Sequence, residues 1–277
     1  MPSRMTALAI RALKGREKIP VVTCYDYSMA RLAEAAGIPL LLVGDSLGNV
    51  VLGYETTVRV RLAEMIHHAR AVMRAQPRAL VVVDMPFLSF QVSPQRALLA
   101  AGRIVRETGA DAVKLEGAGR NLEAVRRIVE AGIPVMGHLG LTPQSVLRFG
   151  GFPVQGRGRA GDLLLEDARA LQEAGCFSLV LEKIPAALGR RVSAALEIPT
   201  IGIGAGRHCD GQVLVLYDLL GLDPGFHPRF VKRFAELGTE VTSALETYAR
   251  AVRSGEFPGP EHEYTDTPPG NPPEGSP

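Results

Sequence analysis

The chain has only three cysteines, Cys24, Cys176 and Cys209, far apart in sequence and with no CxxC pair among them. That argues against a disulfide framework, and it reads each thiol as a buried free residue before a ligand or nucleophile. No apolar run approaches the roughly 20 residues that span a bilayer. The opening stretch, MPSRMTALAIRALKGREK, lacks the uninterrupted apolar core and small-residue cleavage site of a secretory leader. Its apolar and basic residues alternate at helical spacing, so the expectation is an opening helix in a cytoplasmic protein. Excess charge of one sign is missing too. Thirty-one basic and 29 acidic residues leave a net +2, which gives no electrostatic case for nucleic acid or an acidic membrane as partner. Lysine is scarce: Lys14, Lys18, Lys114, Lys183 and Lys232 are the only five. No internal repeat is visible.

What is present is ample core material, 46% hydrophobic and 22% charged residues over 277 positions. Eight apolar strand-like runs alternate with helical stretches. The first is Lys18–Tyr25, followed by a helix at Ser28–Ala36 with Ser28 as cap; Ser93–Pro94 opens another helix that Gly109 closes. A last long helix is expected over Pro228–Ser254. Such alternation implies parallel strands joined by right-handed crossovers, and eight of them predict a closed (β/α)8 barrel, a TIM barrel, with an N-terminal helix. An open doubly wound sheet is the other architecture that the pattern permits. The spacing leaves one domain over residues 1–258. The tail, residues 259–277, is dense in Pro, Gly and acid and is expected to be disordered.

The runs share one feature. LLLVGDS ends at Asp45, ALVVVDM at Asp84, AVKLEG at Glu116, PVMGHL at His138 and SLVLEK at Glu182. Each stops at a group that binds metal or moves protons, as expected when parallel strands deliver side chains to one mouth of a barrel. Because side chains alternate faces along a strand, Lys114 and Glu116 share the inner face, where each needs a partner, a metal or a ligand. A structural ion pair filling the barrel is the plainer account of them. Asp45 and Asp84, without Cys or a His cluster, suit a hard cation with oxygen ligands, Mg²⁺ before Zn²⁺; helix capping is the plainer account of Asp45–Ser46. Glu182 in a partly apolar mouth suits a general base, unless it is held in a salt bridge. His138 is equally readable as a structural residue. His67 and His68 read as surface or interface residues. The GIGAG stretch, Gly202–Gly206, has the look of a phosphate loop, which tight turning explains as well. A Gly- and Arg-rich loop, Arg148–Gly161, looks mobile.

Several of these stretches together resemble the ketopantoate hydroxymethyltransferase family. They are YDYS (Tyr25–Ser28), VGDSLGNVVLGYETT (Val43–Thr57), DMPF (Asp84–Phe87), VKLEG (Val113–Gly117), GHLGLTPQSV (Gly137–Val146) and IGIGAGRHCDGQVLV (Ile201–Val215). The resemblance runs from about Lys18 to Phe257. It implies a (β/α)8 barrel, commonly a homodecamer, that moves a hydroxymethyl group from 5,10-methylenetetrahydrofolate to 3-methyl-2-oxobutanoate, the first step towards pantothenate. It further implies Asp45 and Asp84 as Mg²⁺ ligands with Glu116 in the metal's shell directly or through water, Ser46, Lys114 and His138 together with Asp45 and Asp84 as contacts of the oxo acid, and Glu182 as the base. LEKIP departs modestly at Lys183, where a smaller or apolar residue is expected. Folate contacts are not assigned by the motifs; the Phe149–Gly161 loop is a candidate. Two rival functions remain: a Mg²⁺-dependent carbon–carbon lyase of 2-oxo acids on a similar barrel, and a non-catalytic barrel that binds an oxo acid.

Overall fold

Two interleaved sets of apolar residues build the fold. The computed structural model describes residues 4–264. Its strands are β1 (Ile19–Thr23), β2 (Leu40–Val43), β3 (Leu80–Asp84), β4 (Ala112–Glu116), β5 (Val135–Gly140), β6 (Ser178–Glu182), β7 (Thr200–Ile203) and β8 (Gly211–Leu214). All pair in parallel in sequence order, and β8 returns to β1, so the sheet closes. The open doubly wound sheet is thereby excluded. Alternate positions point inwards and form one apolar cluster: Ile19 and Val21, Leu40 and Leu42, Leu80 and Val82, Ala112, Met136, Val180, Ile201 and Val213. Their neighbours, among them Leu41, Val81, Val83, Val113, Leu115 and Leu179, face the surrounding helices in a second cluster. β-Branched and Leu residues buried on both faces are what a parallel barrel requires.

The opening helix, Ala7–Ala12, places fully buried Ile10 in the inner cluster with Ile19. It packs at the end of the barrel where β1 begins, opposite the strand C-termini. Lys14 anchors it there through Asp210 Oδ2, 2.7 Å, and the Ser193 carbonyl, 2.9 Å.

Helix starts follow cap chemistry. Ser93 Oγ accepts from the Arg96 amide, Pro94 is the first helical residue, and Gly109 ends the helix at φ +77°. The second helix, Tyr27–Ala35, is capped by Asp26 rather than Ser28. Asp26 has extended backbone and accepts the Met29 amide at 2.9 Å, whereas Ser28 already lies inside the first turn. The last helix begins at Leu237, not Pro228. Residues before it fold back on the turn after Leu216–Leu219, with the amides of Phe234, Leu237 and Gly238 bonded to the carbonyls of Leu219, Leu220 and Gly221. Along this helix only Gly238 is buried, and Val241, Leu245, Tyr248 and Val252 line up exposed.

A 3₁₀ turn occupies Pro260–His262 at the start of the tail; residues 265–277, also expected to be disordered, lie outside the described residues. The three cysteines are free and buried, and burial pushes the Cys24 and Cys176 thiols up to about 12. Among the described residues no helix is long and apolar enough to cross a membrane.

Candidate active site

Strand parity brings the predicted groups together. On β4, Lys114 and Glu116 follow Ala112 on the inner face, and the pairing register sets Asp84 beside Lys114 and Glu116 beside His138. Glu182 ends β6 opposite Gly140. There the strands approach so closely that a Cβ at Gly140 would overlap the Glu182 carbonyl, which accepts the Leu141 amide at 2.8 Å. Gly140, at φ +94°, is the residue that lets β5 pass.

A chain of contacts crosses the mouth. Lys114 Nζ stands 2.9 Å from Asp84 Oδ1 and 3.3 Å from His138 Nδ1. On the other side of that ring, His138 Nε2 lies 3.2 Å from Glu182 Oε2. Burial pushes the His138 pKa well below the usual histidine range, and the Lys114 charge pushes the same way, so the imidazole is neutral and neither carboxylate contact is an ion pair. Burial works against the Lys114 charge, but Asp84, Glu116 and Asp45 outweigh it and the ammonium is held. The side chains of Asp84, Lys114, Glu116 and His138 are all buried, while that of Glu182 is 17% exposed. Glu182 is therefore the acid of the row that a ligand can reach from solvent.

Asp45 stands just beyond β2. Its backbone N–H donates to Asp84 Oδ2 at 3.0 Å, and its own carboxylate accepts from Gln144 Nε2 at 2.9 Å. Ser46 meets the buried Tyr25 hydroxyl at 2.8 Å. It makes no side-chain cap to the short helix Leu47–Val50, so capping does not account for Asp45–Ser46.

Two residues of this network had no role in the sequence reading. Gln144 bonds to Asp45 and to the Met85 carbonyl through Nε2, while its backbone N–H donates to Glu116 Oε2 at 3.1 Å. It is fixed in turn by Gln91 Nε2, 3.0 Å from its Oε1. Tyr25 holds Ser46, and its carbonyl meets His68 Nδ1 at 2.7 Å. His68 is thus a half-buried structural contact rather than a surface residue; His67 is exposed. The glycines of GIGAG are explained by packing: a Cβ at Gly206 would lie 2.6 Å from the Ala186 Cβ.

The donor set fits a divalent cation. Asp45, Asp84, Glu116 and Glu182 surround one lysine, leaving more negative charge than Lys114 can offset. Burial first, and then Asp84, raise the Asp45 carboxyl to about 7; burial and then Asp45 raise Glu116 well above its ordinary value. Asp84 Oδ1 is buried without a properly directed hydrogen bond, despite its nearness to Lys114. Among the described residues no group of three or more His, Cys, Asp or Glu side chains is placed to hold a metal ion. Asp45, Asp84 and Glu116 would take part in holding a divalent cation only with water or ligand oxygens supplying the rest of its shell.

Replacing Gln144 with Leu, of similar volume, is expected to lower the melting temperature. It strands the buried Asp45 and Met85 acceptors, at roughly 1–3 kcal/mol for each that water cannot reach. A thermal melt checks this, and an unchanged midpoint would show Gln144 to be dispensable.

Fold and site together define the class: a (β/α)8 barrel enzyme with a carboxylate-rich C-terminal mouth built for a small ligand. The chain belongs to the ketopantoate hydroxymethyltransferase family, whose profile matches residues 4–260. It is 58% identical over 264 residues to 3-methyl-2-oxobutanoate hydroxymethyltransferase from Moorella thermoacetica, covering 95% of this chain and 98% of that one. It is 54% identical over 265 residues to the protein of that name from Syntrophobacter fumaroxidans, covering 95% and 94%. Among solved structures, a 2,3-dimethylmalate lyase of the PEP mutase/isocitrate lyase superfamily aligns with TM-score 0.58 at 18% identity, over 96% and 93% of the two chains. Phosphonopyruvate hydrolase with oxalate and Mg²⁺ aligns with TM-score 0.60 at 12% identity, over 93% of each. That likeness is one of fold.

Proposed function

We propose that this chain transfers a hydroxymethyl group from 5,10-methylenetetrahydrofolate to 3-methyl-2-oxobutanoate, giving 2-dehydropantoate, with Mg²⁺ as its metal. The observation that carries the reading is the order of groups across the mouth: a buried ammonium, a neutral imidazole, then a reachable carboxylate with a raised pKa. When bound, the cation at Asp45, Asp84 and Glu116 supplies Lewis-acid polarisation of the oxo acid's carboxylate and keto oxygens.

The chain's own groups do the rest. Lys114, kept charged by its carboxylate neighbours, stabilises negative charge as it develops on the keto oxygen. Ser46, oriented by Tyr25, and His138, whose Nδ1 meets Lys114 and whose buried Nε2 has no directed hydrogen bond although Glu182 lies 3.2 Å away, give the oxo acid polar contacts. Glu182 takes the C3 proton. C3 then bonds to the methylene carbon, the bonds from that carbon to the folate nitrogens break, and water supplies the hydroxyl oxygen. A proton acceptor placed here serves no purpose in a protein that only binds an oxo acid.

The test is direct. The protein with both substrates and Mg²⁺ should form 2-dehydropantoate and tetrahydrofolate in equal amounts; oxo-acid consumption without folate turnover would replace this reading with the lyase one.

The acceptor also fixes a pH dependence. Burial raises the Glu182 pKa to about 7, with Lys114 and Lys183 limiting the rise. A base works ionised, so C3 exchange should be fastest above pH 7 and fall as pH drops through it. A rate flat from about pH 5 to 8, a span that brackets this pKa, would remove Glu182 from that role.

We also propose self-association. The exposed stripe of Val241, Leu245, Tyr248 and Val252 supports it, and a homodecamer is the assembly that the family resemblance implies.

A further inference from the structure

Lys183 follows the base directly and is one of five lysines in the chain. Its backbone sits at φ +50°, a conformation uncommon for a side chain of this size. Its Nζ donates to the Phe152 carbonyl at 2.5 Å, and its own carbonyl accepts the Gln155 amide at 3.0 Å. The backbone N–H of Lys183 meanwhile bonds to Ile203 O on β7 at 2.8 Å. One residue therefore ties the Phe152–Gln155 stretch to the barrel rim beside Glu182. Next along the loop, Gly156 lies so close to Leu188 that a Cβ there would stand 2.5 Å from Cδ2. The loop is seated at three points, although its Gly content reads as mobile.

The seated loop leaves large apolar groups in solvent. Phe152 is 49% exposed and Val154 38%. Arg157 and Arg159 follow, exposed and without an ion pair among the described residues. An aromatic and aliphatic surface followed by two unpaired guanidinium groups, its backbone bonded to the residue next to Glu182, matches a flat heteroaromatic ligand with a carboxylate tail. The one-carbon donor has that chemistry, and its methylene carbon must reach the carbon that Glu182 deprotonates.

We propose that Lys183 is a positioning residue that latches the Phe152–Arg159 segment beside Glu182 as the docking surface for the folate donor. This rests on the proposed transfer reaction, and the test separates the two. Lys183→Met removes the ammonium; Lys183→Gly removes it and also suits the positive φ, so its fold is retained. Both should raise the KM for 5,10-methylenetetrahydrofolate roughly tenfold or more, the effect of losing one charge-assisted hydrogen bond. C3 exchange, measured without donor and well above pH 7 so that the lost Lys183 charge does not change the ionisation of Glu182, should fall by much less than that factor. Lys183→Arg, which keeps a cationic donor, should recover part of the loss. Equilibrium dialysis with tetrahydrofolate should show the same weakening independently of turnover.

Unchanged donor KM and tetrahydrofolate affinity in the Met and Gly variants would overturn the latch, as would failure of the unsubstituted protein to bind tetrahydrofolate. Loss of exchange in step with transfer would also overturn it, since Lys183 would then act through Glu182. Absence of C3 exchange in the unsubstituted protein would instead overturn the reaction, leaving the dialysis result to decide the surface.

Discussion

Glu182→Gln is expected to lower C3 proton loss from 3-methyl-2-oxobutanoate by about 10²–10⁴-fold, the span that a positioned general base contributes. The amide has the volume of the carboxylate it replaces, so the barrel mouth keeps its shape. Binding of the oxo acid should survive, because its proposed contacts Lys114, His138 and Ser46 and the proposed metal ligands are untouched. Deuterium exchange read by NMR, together with substrate binding by calorimetry, checks both halves. Loss of binding with exchange intact would reassign Glu182 to substrate contact. The size of the effect follows from position: Glu182 is the acid that is partly exposed and lies across His138 from the buried ammonium.

Asp84→Ala is expected to be the most destabilising single change in the site. Asp84 takes the Asp45 amide with one oxygen and faces Lys114 with the other. Removing it leaves a buried ammonium short of its nearest counter-charge, and breaking such a pair costs about 3–5 kcal/mol. Relief of the repulsion that raises Asp45 works in the other direction, so the lower end of that range is expected. For a chain of this size that is a fall in melting temperature of roughly 6–12 °C. Asp84→Asn keeps the volume and an acceptor, and isolates the loss of charge. It should need at least about 10–100-fold more metal for the same activity, since removing even an outer partner of a ligand costs that much. Metal titration of the Asn variant and thermal melts of both measure these effects. Unaltered metal dependence would remove Asp84 from the metal site.

Much of this site was legible because strands and barrels translate spacing into position. The two-residue spacing of Lys114 and Glu116 placed both on the inner face, and the acid at the end of each apolar run marked the mouth. Gln144 gave no such sign. It is uncharged and comes from the turn after β5, and its importance lies in three partners, Asp45, Met85 and Glu116, from three other parts of the chain. Tyr25 and His68 were hidden for a similar reason. A carbonyl acceptor is invisible in sequence, so the contact that draws His68 inwards could not be anticipated. The last helix was read too long at its start because propensity alone does not reveal backbone bonds that turn residues 234–238 back on 219–221. Lys183 looked like a departure from the family motif; its positive φ and its bond to Phe152 are both features that only coordinates reveal.

The measurement that tests the central claim most directly is proton NMR of 3-methyl-2-oxobutanoate in D₂O with the protein, first without metal, then with Mg²⁺, then with 5,10-methylenetetrahydrofolate. The account predicts metal-dependent loss of the C3 proton signal, followed by 2-dehydropantoate when the donor is added. A C3 signal that persists under all three conditions would contradict it.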